Sequence, residues 1–509
     1  MSPRVVVVGG GLAGITAAIA LAEAGAQVTL LEARPRLGGA TCSFSRDGLT
    51  VDTGQHVFLG CCTAYRGLLD QLGMTAHAPL QDRFDVTVLA PTRAAASGGA
   101  TPLAPRRGRL RRTALPGPLH MLPALARYPF LSLAERSVVS RPALAMRFVD
   151  PAKPAVDEQR FGDWLAARGQ SDRARRALWD LFTVSALNIA GDDASLSLAA
   201  TVVKTGLLGK NNAADIGVPA LPLGELHGDA GGTLLAKLGA RVLLGAKVSA
   251  IDPAPAGPTG PAASGAPAES DAPGDPSSPR FLVRLARAAD DESLPAEIPA
   301  DAVVLAVPHE MAARLIPSGA LPEATVAGWA GLGASPIVNV HVIYDRKVTD
   351  LPFAAGVDSP VQWVFDRTRI SGLDRLSDSA SGAQYLAISL SAADEYVDVP
   401  AAQLREQFVP ALAELFPAAR EAQVTEFFVT RERRATFRQA PGTAKLRPPA
   451  ATNLPGLVLA GAWTATGWPD TMESAVRSGL SAAIELRKTG LSAGPNGPLI
   501  TSTTIGRRQ

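Results

Sequence analysis

Val5-Val6-Val7-Val8-Gly9-Gly10-Gly11-Leu12-Ala13-Gly14 decides the fold. A run of β-branched apolar residues reads as a strand buried on both faces, as in a parallel sheet. Gly9, Gly11 and Gly14 fill a G-x-G-x-x-G pattern, and an Ala-rich stretch follows. The first glycine permits a tight turn, and the second lets backbone approach a pyrophosphate. The third lets helix and strand pack closely, and Leu12 and Ala13 open a helix whose free N–H groups favour an anion. Val28-Thr29-Leu30-Leu31 is a second strand ending in Glu32. That carboxylate lies about 20 residues past the glycines, where an acid accepts hydrogen bonds from an adenosine ribose. A glycine-rich turn alone is common, but strand, turn, helix, strand and acid in this order point to a Rossmann-like α/β fold that binds a dinucleotide.

The residues after Glu32 bear on which dinucleotide. Glu32-Ala33-Arg34-Pro35-Arg36-Leu37-Gly38-Gly39-Ala40 resembles the E-A-x-x-x-x-G-G segment of the amine oxidase and phytoene desaturase flavoprotein superfamily. FAD lies extended, so a second glycine pair brings another loop against its pyrophosphate, and Arg34 can neutralise phosphate charge. Many members of that superfamily carry Arg where this chain has Ala40, so only a backbone contact carries over there. Near the other end, the strand Gly456 to Gly461 leads through Ala462, Trp463 and Trp468 to Thr471 and Met472, which open the last helix. The resemblance implies that this segment closes the FAD site, with N–H groups near Met472 facing the flavin edge where negative charge accumulates on reduction. Relatives usually have an acid after the Ala-Gly, and Ala462 lacks that contact. Val248 fits a position whose backbone contacts the adenine. The expected cofactor is therefore FAD, held non-covalently.

At 509 residues the chain exceeds one compact core. An FAD-binding domain is expected from 1–80, 225–320 and 450–490. A mixed α+β substrate domain is expected from 81–224 and 321–449. Residues 253–279 turn abruptly to Pro, Ala, Gly and Ser, and read with the tail 491–509 as disordered. A net charge of +2 supplies no general field for nucleic acid. No apolar run reaches the ~20 residues of a membrane span. Cys42, Cys61 and Cys62 form an odd set without metal spacing, which fits a reducing cytoplasm and buried structural thiols. No metal is expected.

Ser335 to Tyr344 alternates apolar and polar residues as a half-buried strand does, and Gln384 to Ser391 is another strand. Phe161 to Ala190 reads as helical, with Trp164, Leu165, Leu178, Leu181 and Phe182 forming an apolar core stripe.

Two further segments narrow the substrate. Val51-Asp52-Thr53-Gly54-Gln55-His56-Val57-Phe58-Leu59 carries a D-x-G-Q-H-x-F core. With Leu115-Pro116-Gly117-Pro118-Leu119-His120 and Ser185-Ala186-Leu187-Asn188, it resembles the hydroxysqualene dehydroxylases, the squalene-associated FAD-dependent desaturases. The resemblance implies a C30 hydroxylated isoprenoid reduced to squalene in hopanoid or related triterpene synthesis. An allylic hydroxyl leaves as water when protonated, and flavin hydride then quenches the cation. His56 is the first candidate for the acid. Its other role would be a hydrogen bond to backbone or flavin. Gln55 would orient the hydroxyl, and both residues would lie beside the flavin. Trp463 and Trp468 would pack on the flavin or line an apolar channel. A carotenoid-type desaturase, which removes hydride from a polyene, and a flavin amine oxidase are the alternatives. The direction of turnover separates the first of these. The electron donor is not legible.

A C30 hydrocarbon is confined to lipid, so a peripheral membrane contact is expected. Its anchor would be the basic run Arg106-Arg107-Gly108-Arg109-Leu110-Arg111-Arg112 with the apolar segment Leu115 to Leu133.

Overall fold

The computed structural model describes residues 2–92, 104–116, 119–254, 278–286, 294–376 and 382–489. Strand Arg4–Val8 is the centre of a five-stranded parallel sheet, and its valines are at most 3% exposed. Gln27–Glu32 and then Arg241–Leu244 lie on one side. Ala302–Leu305 and then Leu457–Leu459 lie on the other. Burial of both faces follows from coverage by two layers. The helices Leu12–Glu23 and Met472–Lys488 pack on one face. They approach so closely that a Cβ on Gly479 would lie 2.3 Å from the Ala13 carbonyl oxygen. A three-stranded antiparallel sheet of Val248–Pro253, Phe281–Leu285 and Glu297–Ala300 covers the other face.

A seven-stranded sheet forms the second layer system, in the order Val424–Thr436, Ser335–Tyr344, Gln384–Leu390, Trp363–Asp366, Phe353–Gly356, Asp85–Ala90 and Arg106–Arg111. Val338, Val340, Val342 and Tyr344 pack with Leu404, Phe408 and Leu412 of the helix Ala401–Leu415. The opposite face receives the hairpin Ser43–Arg46 and Leu49–Asp52 through Leu49, Val51, Tyr385 and Phe428. The loop leaving that hairpin is the D-x-G-Q-H segment, so sheet packing sets where it lies.

Four expectations need correction. Ser335–Tyr344 is not half-buried, because both of its faces are covered, and Asn339 and His341 are fully buried. Polar side chains alternate there because hydrogen bonds, not water, receive them. The segment Phe161 to Ala190 is broken. The helix Phe161–Ala166 ends before Gly169, whose φ of +77° belongs to the left-handed region. Ser171 then caps a second helical run from Asp172 that includes a π-helical turn at Arg175–Trp179 and ends at Leu187.

The proline-rich insertion begins later than composition implied. Pro253 pairs opposite Phe281, and the Ala254 N–H donates to the Arg280 carbonyl. Residues 255–277 and the tail from 490 onward lie outside the described residues.

The basic run is a sheet strand rather than a free cationic patch. Arg109 and Arg111 pair with Asp85 on the neighbouring strand, and Arg112 pairs with Asp215 at 2.6 Å. Arg109 and Arg111, two apart, point to the same side of the strand and share the Asp85 carboxylate, which lies opposite Arg111.

Candidate functional site

Glycine sets the spacing at the dinucleotide end. A Cβ on Gly14 would fall 1.8 Å from the Gly9 carbonyl oxygen, so the helix can start this close to the strand only with glycine. Gly11 precedes the helix with no side-chain cap, leaving first-turn N–H groups free for an anion. The second glycine pair comes directly against the first turn: a Cβ on Gly39 would lie 2.9 Å from the Gly11 Cα. Gly9, Gly11, Leu12, Ala13, Gly14, Gly38, Gly39 and Ala40 are thus brought together. Glu32 is buried at the strand end, where its carboxylate accepts from the Gly10 N–H at 2.7 Å and the Arg34 N–H at 2.8 Å. Each oxygen retains a lone pair for a ribose hydroxyl. Ala33 and Arg34 are exposed on the adjoining turn. The Ala246 N–H donates to the Glu32 carbonyl at 2.8 Å, which brings Val248 to the same edge.

The D-x-G-Q-H loop is pinned from three directions. Asp52 is buried, and one of its oxygens accepts from Ser43 Oγ at 2.6 Å and from the Leu223 N–H at 2.9 Å. Its other oxygen meets the Arg367 guanidinium. Thr53 Oγ1 donates to the Ala40 carbonyl at 2.7 Å, tying the loop to the second glycine segment. Asn339 Nδ2 donates to the Thr53 carbonyl at 3.3 Å from the seven-stranded sheet. Gln55 and His56 are half-buried on this loop. His56 Nδ1 lies 3.2 Å from the Gly54 carbonyl and donates to it. In the neutral ring Nε2 is then an acceptor with no protein partner among the described residues. Burial is the largest cause lowering the His56 pKa, opposed by the Gly54 bond and by Asp52, while Arg367 lowers it further. Gln55 Oε1 is enclosed without a partner.

The last strand and helix bound the site on a further side. Thr471 caps Met472–Lys488, its Oγ accepting from the Ser474 N–H at 3.4 Å, so Met472 begins a helix with free N–H groups. Gly461, with φ +138°, joins strand to loop. Trp463 departs from expectation. Its ring packs edge-on against Trp329 at 4.9 Å, its Nε1 donates to the Val307 carbonyl, and it is 4% exposed. The indole is thus a core residue beneath the five-stranded sheet. Its N–H finds a carbonyl there, which removes the usual reason for an indole to stay at a rim. Trp468 is half-buried beneath the Arg477 guanidinium, 4.7 Å from its ring centre.

Several organising residues were not singled out from the sequence. Arg447 donates to the carbonyls of Ala462, Trp463 and Thr464, and so shapes the loop after the last strand. Burial lowers its pKa to about 10. Glu473 accepts from the Ala64 and Tyr65 N–H groups at 3.1 and 2.8 Å, supplying the helix Thr63–Gln71 with the anion that its own sequence lacks. Tyr65 Oη and His227 Nε2 lie 2.7 Å apart, both fully buried. Burial, and then the neighbouring His56, lower the His227 pKa to about 3, so Tyr65 donates to a neutral ring. His227 sits in the π-helical turn Gly224–Asp229. Asn188 of the S-A-L-N motif is structural: in the left-handed region at φ +49°, it ends a helix, and its amide bonds Ser335 and Ala392. Cys42 is buried, whereas Cys61 and Cys62 are half-buried.

The glycine spacing, the acid at the strand end and the uncapped helix start after Gly11 fit FAD. A sequence model for flavin containing amine oxidoreductase matches residues 12–486. Hydroxysqualene dehydroxylase of Rhodopseudomonas palustris is 29% identical over 95% of this chain and 98% of its own length. The enzyme of the same name from Sinorhizobium fredii is 26% identical with the same coverage. Zeta-carotene desaturase of Zea mays is 25% identical over 94% of this chain and 82% of its own. Among solved structures, a variant of putrescine oxidase superposes with a TM-score of 0.65 at 19% identity, covering 96% of this chain and 99% of that one. Cyclohexylamine oxidase from Brevibacterium oxydans gives 0.62 at 18%, over 96% and 100%.

Proposed function

Because the chain belongs to the flavin containing amine oxidoreductase family and is an FAD-dependent oxidoreductase, we propose that it reduces hydroxysqualene to squalene in triterpene or hopanoid synthesis. The net change is replacement of an allylic hydroxyl by hydrogen, with a hydride and a proton consumed and water released. Bound FAD, once reduced, supplies the hydride. The carrying observation is the loop Asp52 to His56, fixed at Ser43, Leu223, Arg367, Ala40 and Asn339, which presents an unpaired imidazole nitrogen next to the second glycine segment. Similarity to hydroxysqualene dehydroxylases over nearly their whole length supports the same reading.

His56 has two protonation states to work with. Neutral, it is the form left once its proton has passed to the hydroxyl oxygen. Protonated, it donates and lets water depart. Gln55 turns the hydroxyl toward it. We assign the glycine segments, Glu32, Arg34, Val248, Gly461, Thr471 and Met472 to holding FAD. The five-stranded unit is the FAD domain, and the seven-stranded unit takes the substrate.

A C30 substrate resides in lipid, so the protein takes it from a membrane surface. No helix among the described residues is long and apolar enough to cross one. Among the described residues, six of the ten exposed large apolar side chains lie between 115 and 148, including Leu133 at 80% and Phe148 at 89%. Exposed Arg127, Arg141 and Arg147 lie among them. These residues, and not the paired Arg109, Arg111 and Arg112, are the proposed anchor.

Anaerobic single turnover tests the reaction. Reduced holoenzyme mixed with hydroxysqualene should yield squalene and oxidised flavin together. Oxidised enzyme converting a polyene with an acceptor, and no squalene from the first mixture, would favour the desaturase reading instead.

A further inference from the structure

The inner face of the seven-stranded sheet is apolar near the hairpin, with Ile343, Ala387 and Phe428 on it. One row crossing it is polar instead. Ser389, Asn339 and Thr430 sit directly opposite one another on three adjacent strands. Paired side chains in an antiparallel sheet lie on the same face, with Cβ atoms about 4.5–5.5 Å apart. Ser389 and Thr430 are half-buried, and Asn339 between them is fully buried. The Asn339 amide is half satisfied: Nδ2 donates to the Thr53 carbonyl, while Oδ1 is enclosed without a partner. The reverse amide orientation would set two oxygens against each other, so the free atom is the acceptor. An unpaired buried acceptor is destabilising. This polar row lies beside the loop that carries His56, and its free acceptor is suited to a ligand that donates.

Thr430 is fixed from behind. Its Oγ1 lies 3.1 Å from His341 Nε2, and His341 Nδ1 lies 2.8 Å from Tyr385 Oη. His341 is stacked on Phe428 at 4.4 Å and fully buried, and burial lowers its pKa to about 3. The ring is therefore neutral and carries one proton. If that proton were on Nδ1, the buried Tyr385 hydroxyl hydrogen would have no acceptor. Placed on Nε2, every buried proton is satisfied: Tyr385 donates to Nδ1, and Nε2–H donates to Thr430. The Thr430 hydroxyl hydrogen is then left free on the face beside Asn339.

We propose that Thr430 and Asn339 form a hydroxyl-recognition pair for the isoprenoid substrate, Thr430 donating to its oxygen and Asn339 Oδ1 accepting its hydrogen. His341 and Tyr385 are positioning residues that hold the Thr430 proton outward. A hydroxyl is at once donor and acceptor, and this pair offers its complement, whereas a plain polyene satisfies neither atom. The inference rests on the hydroxylated-substrate reading and names what selects that substrate.

The test is titration of oxidised holoenzyme with hydroxysqualene and with squalene in detergent, read by flavin absorbance. Thr430→Val should weaken hydroxysqualene binding about 10- to 100-fold and leave squalene binding within about twofold. Asn339→Leu should do likewise. Thr430→Ser, which keeps the hydroxyl, should restore discrimination, and a purely structural defect would not be rescued in this selective way. Equal weakening toward both ligands, or unchanged preference in Thr430→Val, overturns the proposal. Preference for the hydroxylated ligand without turnover of it would retain the pair and reject the reaction.

Discussion

The carboxylate of Asp52 and the guanidinium of Arg367 meet in a space closed to solvent, with side chains 3% and 8% exposed. They join the hairpin that follows the second glycine pair to a strand end 315 residues away. Removing one partner strands the other, a change that costs about 3–5 kcal/mol for a buried pair. Arg367→Met should therefore lower stability by about that much in urea denaturation and loosen the loop carrying His56. A double variant, Asp52→Asn with Arg367→Met, should recover part of the loss. No recovery would mean that Arg367 acts alone.

His56→Ala should remain yellow and lose about 10²–10⁴-fold in turnover, the range for a general acid. The pH profile carries the sign. Burial lowers the His56 pKa, so the protonated form that donates is present below that lowered value. Turnover with reduced enzyme should fall as pH rises through it, at a midpoint below 6.5. A flat profile in the wild type would place the proton elsewhere.

Glu32→Ala removes an acceptor from two backbone N–H groups as well as from the ribose. Charge-assisted bonds are worth about 1.5–3 kcal/mol, so FAD affinity should drop about 10- to 100-fold. Wild-type flavin content after dialysis would count against this role. Acid precipitation should release all flavin into the supernatant.

Two buried histidines bear on acid stability. His227 and His341 have pKa values lowered to about 3 in the folded state, against 6.5 unfolded. The unfolded chain binds more protons between those values. Stability is therefore fully present above pH 6.5 and declines as pH falls toward 3, by up to about 1.4 kcal/mol per histidine per pH unit. Urea midpoints measured from pH 7 to 5 should slope downward, and His341→Gln should make the slope shallower.

Flotation with vesicles tests the lipid contact. The protein should rise with anionic vesicles, and Leu144→Ser with Phe148→Ser should abolish this. Arg127, Arg141 and Arg147 changed to Ser should reduce it by several-fold, since each basic residue adds about 1 kcal/mol near an anionic surface. Flotation unaffected by either set would reject this anchor.

The Rossmann-like core was legible because local signals agree: Val5 to Val8, the glycines and Glu32 each report the same unit. The strand at Leu457–Leu459 was legible for the same reason. What could not be read was pairing across distance. Arg109, Arg111 and Arg112 look like a free basic patch until Asp85 and Asp215 arrive opposite them. Trp463 looks like a flavin neighbour until Trp329 takes its ring. Asn339 and His341 did leave a trace, as polar residues inside Ile337-Val338-Asn339-Val340-His341-Val342-Ile343. Alternation was read there as solvent exposure, although buried hydrogen bonds produce the same pattern.

The order of the five parallel strands also has a kinetic meaning. Its edge strand Leu457–Leu459 pairs with Ala302–Leu305, which pairs with Arg4–Val8. A ribosome delivers these pieces in sequence, and pairings so far apart in the chain form slowly. The nascent protein therefore carries an exposed sheet edge at Ala302–Leu305 until residue 459 has emerged. The sheet that carries the glycine turn after Val8 is thus complete only once this late strand has paired.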